Sequence, residues 1–224
     1  MKAEQFSMRP IGMIESCFGE KFATPRQSGL VPSARGRIVF EDEVDPEACR
    51  GLEEFSHLWI VFVFDQVLQE EVRWLVRPPR LGGNEKKGVF ATRSPFRPNR
   101  IGLSLVRIEK VTPDAVEISG LDLVEGTPVL DLKPYLPYVE SVPGAVGGFA
   151  EEAPKSLAVE FPEELKGGFD GATREFVSEA LALDPRPAYH RDPEREYGCL
   201  LAGYEVRWRA NEETITILSI HKKL

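Results

Sequence analysis

A chain of 224 residues, 42% hydrophobic and 29% charged, has the composition of a folded soluble protein and excludes the disordered and fibrous classes. Its net charge of −8 excludes a uniformly basic polyanion binder. The longest apolar run, LWIVFVF from Leu58 to Phe64, is too short to cross a bilayer, and MKAEQFSMRP contains no apolar signal core, so a cytoplasmic protein is expected.

In chain order, short apolar or alternating runs broken by turn residues predict strands at Ile11–Glu15, Ala34–Phe40, His57–Phe64, Val72–Val76, Gly88–Arg93, Leu103–Val111, Ala115–Leu121 and Val129–Lys133. The intervals leave no room for a crossover helix between each pair, so the pairing should be largely antiparallel. His57–Phe64 is apolar on both faces and should be a central strand. Glu125-Gly126, between LDLV and TPVLDLK, reads as the turn of a hairpin, with glycine supplying a positive φ. After Val142 the stretch PGAVGGFAEEAPKS reads as a linker or irregular excursion. Beyond it a helix is expected over Thr173–Leu183, with Phe176, Val177, Ala180 and Leu181 on one face, and YEVRWRA and TITILSI should close a hairpin around Asn211. The fold class is therefore mainly β: a largely antiparallel barrel over 1–145, followed by a linker and a small C-terminal α+β domain over 146–224.

The three cysteines, Cys17, Cys49 and Cys199, are far apart and form no CxxC pair. Neither a disulfide framework nor a metal site is indicated.

The charge is unevenly placed. Arg73, Arg77, Arg80, Lys86, Lys87, Arg93, Arg97 and Arg100 face Glu85 alone within residues 73–100, a balance of +7 that leaves −15 for the remainder. Such polarity suits binding of a polyanion on one face, with Arg77, Arg80, Lys86, Lys87, Arg97 and Arg100 as RNA contacts. The alternative is a solvated face whose arginines pair with distant carboxylates. In RPPRLGGN and RSPFRPN, prolines stiffen the loops and glycines allow close backbone approach, while Phe96 offers a ring to a base or folds back onto the core. His57 reads as a hydrogen-bonded structural histidine, and Asp122 as a residue that satisfies a turn.

The segments IGMIESCFGEKFATPRQSGLVPSARGRIVF, GLEEFSHLWIVFVF, VRPPRLGGN, GVFATRSPFRPN, IGLSLV and GLDLVEGTPVLDLKPYLPY, in uninterrupted order from Ile11 to Tyr138, resemble the signature segments of the TsaA-like family. DPRPAY, from Asp184 to Tyr189, resembles the C-terminal extension of its longer bacterial members. The resemblance implies a homodimeric β-barrel methyltransferase that uses S-adenosylmethionine to methylate N6 of threonylcarbamoyladenosine, next to the anticodon of threonine tRNA, with the cofactor near the subunit interface. Carried over by segment, it implies cofactor contacts at Pro25, Arg26, Gln27, Asp65, Gln66, Arg93, Leu103, Asp131, Leu132, Lys133 and Pro134. An arginine can hold the methionyl carboxylate, a carboxylate suits the amine and sulfonium, and apolar strand residues can flank the adenine. Asp131 is the candidate base, with Lys133 or Tyr135 orienting the substrate's threonyl carboxylate. The chain departs from the family pattern at Asp65, where histidine is usual, and at Arg100, where proline is usual. The competing readings are a non-catalytic RNA-binding or regulatory module using the same basic patch, and a binder or hydrolase of phosphorylated metabolites.

Overall fold

A computed structural model describes residues 6–78, 85–165, 169–187, 190 and 192–223. Six strands close into an antiparallel barrel: β1 (Gly12–Ser16), β2 (Arg35–Phe40), β3 (His57–Val63), β6 (Ile101–Val111), β7 (Ala115–Ser119) and β8 (Pro128–Pro134), in the spatial order β1-β2-β7-β6-β3-β8. A two-stranded ribbon, β4 (Leu75–Val76) with β5 (Lys87–Gly88), stands apart from it. Period-two alternation decides which side chains fill the lumen: Ile14, Ile38, Leu58, Ile60, Phe62, Val106, Ile118 and Val129 are all buried. Gly102 faces Phe62 across the β3–β6 ladder, and a Cβ there would overlap the ring. This position requires glycine for close packing.

The C-terminal sheet has the order β10-β11-β12-β9, from β9 (Ala158–Glu160), β10 (Tyr197–Leu201), β11 (Tyr204–Ala210) and β12 (Thr214–Lys222); β9 runs parallel to β12 and the other pairs are antiparallel. A four-residue helix, α1 (Pro137–Glu140), follows the barrel, and α2 (Gly171–Ala182) precedes β10. Asp170 caps α2 by accepting from the Thr173 N–H at 2.7 Å, and Phe176, Val177, Ala180 and Leu181 form its buried face, as the spacing predicts. The DPR part of DPRPAY is structural. Arg186 forks onto Asp184 at 2.8 and 3.1 Å and donates to the carbonyls of Ala210 at 2.8 Å and Asn211 at 2.7 Å, tying the β11–β12 turn to the end of α2. Ala188 and Tyr189 lie outside the described residues.

The two sheets share one continuous core. Phe18, at the end of β1, lies 5.3 Å from the Phe176 ring and bridges to Leu201, while Phe22 stacks on Trp208.

Three expectations need correction. Gly88–Arg93 is not a strand: after two ladder residues, Val89–Ala91 forms a 3₁₀ turn. There Thr92 returns its N–H and hydroxyl to the Val89 carbonyl, a local bonding pattern that competes with the ladder. Val72–Val76 shortens to Leu75–Val76. Glu125-Gly126 is a turn, with Gly126 at φ 75, but not a hairpin, because the backbone around LDLV bonds irregularly to the β1 end through Ser16, Phe18 and Ile14 while β8 pairs with β3 and β1.

Candidate functional site

The barrel wall has a seam beside β6. β7 runs along β6 only from Arg107 to Val111, because Gly120, at φ 71, turns the chain away after Ser119. The remaining edge of β6 is met by the loop that carries Pro25, Arg26 and Gln27: the Leu105 N–H donates to Ser28 Oγ at 3.2 Å, and the Gly29 N–H to the Gly120 carbonyl at 2.8 Å. Arg93 reaches into the same place and donates to Gln27 Oε1 at 2.5 Å, while Gln27 Nε2 turns back to the Arg26 carbonyl. Two segments separated by 66 residues, PRQ and ATRSP, therefore meet.

Next to this seam the outer face of three strands runs in register. Leu103 on β6 pairs with Val61 on β3, which pairs with Asp131 on β8; Leu105, Trp59 and Lys133 form the adjacent row. Leu103 is 50% exposed, an apolar side chain left open beside charged ones. Asp131 and Lys133 are exposed and paired at 3.0 Å, and Asp131 Oδ1 also accepts from the Leu132 N–H at 2.9 Å. Alternation places Leu132 on the opposite, inward face, packed against the core, with Pro134 ending the strand. Tyr135 stands edge-on to both His57 and Trp59, and His57 Nδ1 is 2.9 Å from Ser56 Oγ. Asp65 and Gln66 open a 3₁₀ turn directly after β3, at the end where β6 begins.

The C-terminal unit braces the loop at the seam. Glu179 of α2 accepts from both the N–H of Ser33 at 2.9 Å and its hydroxyl at 2.5 Å, and Leu200 and Ala202 donate to Glu20 and to the Cys17 carbonyl. The loop that holds Pro25–Gln27 is thus fixed between the two sheets.

Sequence reasoning passed over one group. Asp122, read as a turn residue, points its carboxylate at the seam and accepts from buried Ser104 at 2.5 Å. Burial pushes its pKa up, opposed by the Ser104 hydroxyl, the charge of Arg93 and a Ser28 main-chain bond. A short turn motif gives no sign of such burial, which only the barrel creates. The thiols of Cys17 and Cys199 are pushed up to about 12 by burial, so neither is a nucleophile near neutral pH.

The basic segment divides. Arg77, Lys86 and Arg93 are exposed. Lys87 pairs with Glu85 at 2.7 Å, Arg97 is half-buried with its guanidinium 3.4 Å from the Thr92 carbonyl, and Arg80 lies outside the described residues. Arg100, expected on the RNA-facing surface, is only 5% exposed and donates to the carbonyls of Glu70, Pro95 and Arg97. It staples a loop, because three convergent carbonyls satisfy a buried guanidinium better than a surface patch would. Phe96 is not an open ring: Arg73 lies over it, 3.8 Å from the centroid.

The sequence profile of the tRNA-methyltransferase O N-terminal domain matches residues 13–141, and that of the TrmO C-terminal domain matches residues 154–223. The chain belongs to the tRNA-methyltransferase O family. It is 45% identical over 232 residues to the tRNA (adenine(37)-N6)-methyltransferase of Escherichia coli K12, covering 97% of this chain and 99% of that protein. It is also 47% identical over 211 residues to a candidate S-adenosylmethionine-dependent methyltransferase of Pseudomonas aeruginosa, RcsF, with 90% and 91% covered. A crystal structure of TrmO from Pseudomonas aeruginosa superimposes with a TM-score of 0.80 at 39% identity, covering 97% of this chain and 99% of that one. The closed barrel with its C-terminal sheet is thus shared with that TrmO structure.

Proposed function

We propose that this chain is an S-adenosylmethionine-dependent tRNA methyltransferase acting on N6 of adenosine 37, and that its substrate is the threonylcarbamoylated form of that base in threonine tRNA. The observation that carries the reading is that PRQ and ATRSP meet IGLSLV at one seam, with VLDLKP on the same wall one strand further on, in a chain 45–47% identical over most of its length to two relatives whose names state methyl transfer. The residues present fit the cofactor: a guanidinium, an open leucine and a carboxylate are the complements of a carboxylate, an adenine and a cationic amine. Arg93, fixed by Gln27, would hold the carboxylate end. Leu103 would flank the adenine, Asp131 would face the amine and sulfonium, and Asp65 would accept from the ribose hydroxyls in place of the family's usual histidine. When bound, the cofactor supplies an electrophilic methyl with a good leaving group, so the protein's task is alignment and proton removal.

The Asp131–Lys133 pair supports a specific division of labour. The threonyl carboxylate of the substrate base competes with Asp131 for Lys133, with Tyr135 beside it. Once released, Asp131 can accept the proton from the urea-like N6–H as the carbon–nitrogen bond forms. An exposed pair of this kind holds together by about 1 kcal/mol or less, so the exchange costs little.

The cytoplasm is the expected compartment, where tRNA is modified, and a homodimer is the expected assembly. Tyr138, Val139, Val142 and Val146, all exposed just beyond β8, are apolar surface that a second copy would cover beside the site. Thermal unfolding tests the cofactor assignment. S-adenosylmethionine at 100 times its dissociation constant should stabilise the protein by about 2.7 kcal/mol, and Arg93→Ala should abolish most of that stabilisation. A melting temperature unmoved by the cofactor or its homocysteine product would favour the non-catalytic RNA-binding reading.

A further inference from the structure

The basic segment carries two aromatic rings that the core does not use. Trp74 is 63% and Phe90 73% exposed, and they meet edge to face with centroids 6.5 Å apart. Their positions are set by main chain rather than by burial: β4 and β5 pair Leu75 with Gly88, and the Val89 N–H donates to the Trp74 carbonyl at 3.0 Å. Buried Val89 anchors the far side, so the ribbon holds both rings out toward solvent. Two large rings left in water beside the exposed cations Arg73, Arg77 and Lys86 mark a contact surface.

Charge decides what covers it. A two-fold contact with a second copy would set this cationic stretch against itself, which is repulsive. A peptide partner would need a matching acidic surface, whereas single-stranded RNA brings both phosphates for the cations and flat, unpaired bases for the rings. The neighbouring Phe96 already has Arg73 stacked on its ring. We propose that Trp74 and Phe90 form a stacking platform for unpaired bases of the anticodon loop, with the exposed Arg77 and Lys86 taking the adjacent phosphates. The near-perpendicular rings, at 77°, let a base stacked on one ring lie against the edge of the other. This deepens the tRNA assignment and rests on it.

Binding of a threonine tRNA anticodon stem-loop, followed by fluorescence anisotropy across a salt series, tests the platform. Stacking is insensitive to salt and phosphate contacts are not. Trp74→Ala and Phe90→Ala should each weaken binding by roughly 5- to 150-fold at every salt concentration, with an unchanged log–log slope. Trp74→Phe should retain most of the affinity. Parental affinity in both alanine variants would overturn the proposal, as would a loss that appears only when sedimentation shows the oligomer dissociating. If the parent binds no RNA at all, the tRNA assignment falls and the platform with it.

Discussion

Replacing Arg186 with alanine should cost about 3–5 kcal/mol of stability, although the residue lies in the C-terminal unit, away from the seam. The side chains of Arg186 and Asp184 are 7% and 8% exposed, so truncation strands a carboxylate in a low-dielectric site. It also removes the donors of the Ala210 and Asn211 carbonyls, each worth about 1–3 kcal/mol if left without a partner. These losses overlap, since water entering the vacated space would serve several groups at once, and the total stays near the figure for breaking a buried pair. In a chain of this size that loss lowers the melting temperature by roughly 6–20 °C. Chemical denaturation read by circular dichroism and by tryptophan fluorescence would measure it, since Trp208 lies in the same sheet. The double variant Asp184→Asn/Arg186→Met should recover the part of the loss that comes from the stranded carboxylate, because it leaves no buried charge and asparagine tolerates the φ of 49 at position 184, while the Ala210 and Asn211 carbonyls still lack their donor. A loss below about 1 kcal/mol in Arg186→Ala, or a double variant as unstable as the single one, would refute the reasoning.

Two further outcomes follow from the seam. Asp131→Asn keeps shape and hydrogen bonding but cannot take a proton, so single-turnover rates at saturating cofactor should fall by roughly 10²- to 10⁴-fold, beyond any loss of affinity from its contact with the cofactor's amine; a defect wholly restored by saturating cofactor would make Asp131 an anchor rather than a base. Asp122 has a folded pKa raised above 3.8, so the folded state binds its proton more tightly than the unfolded chain does. Its contribution is present at low pH and is lost as pH rises through the folded pKa; stability of the parent relative to Asp122→Asn should therefore decline as pH climbs from 3.8, and a difference that is flat or rising would contradict the burial assigned to this carboxyl.

The strands of the barrel are readable as short apolar runs between turn residues, but their inward face is not: β3, HLWIVFV, is apolar on both faces, and β6 turns Gly102, Ser104 and Val106 inward while Leu103 faces out. The antiparallel barrel follows from their short spacing. What local pattern cannot show is where a ladder stops. GVFATR looks like a strand, yet Thr92 closes a turn; LDLV looks like a hairpin arm, yet the end of β1 takes its bonds. The same limit applies to the site. Family resemblance points to Arg93 and Gln27, and only the fold shows that they touch. Arg100 and Asp122 were misread for a shared reason: burial reverses the meaning of a charge. Inside the loop the arginine is a staple, and behind the seam the aspartate is a perturbed acid, and neither environment is written in the neighbouring residues.

The most direct test of the methyltransferase assignment is nucleoside mass spectrometry of threonine tRNA incubated with the purified protein and S-adenosylmethionine. Threonylcarbamoyladenosine at position 37 should be converted to its N6-methyl form, and tRNA lacking the threonylcarbamoyl group should be a poor substrate because Lys133 then has no carboxylate to engage. Unmodified nucleosides after incubation, or methyl groups appearing at another position, would contradict the assignment.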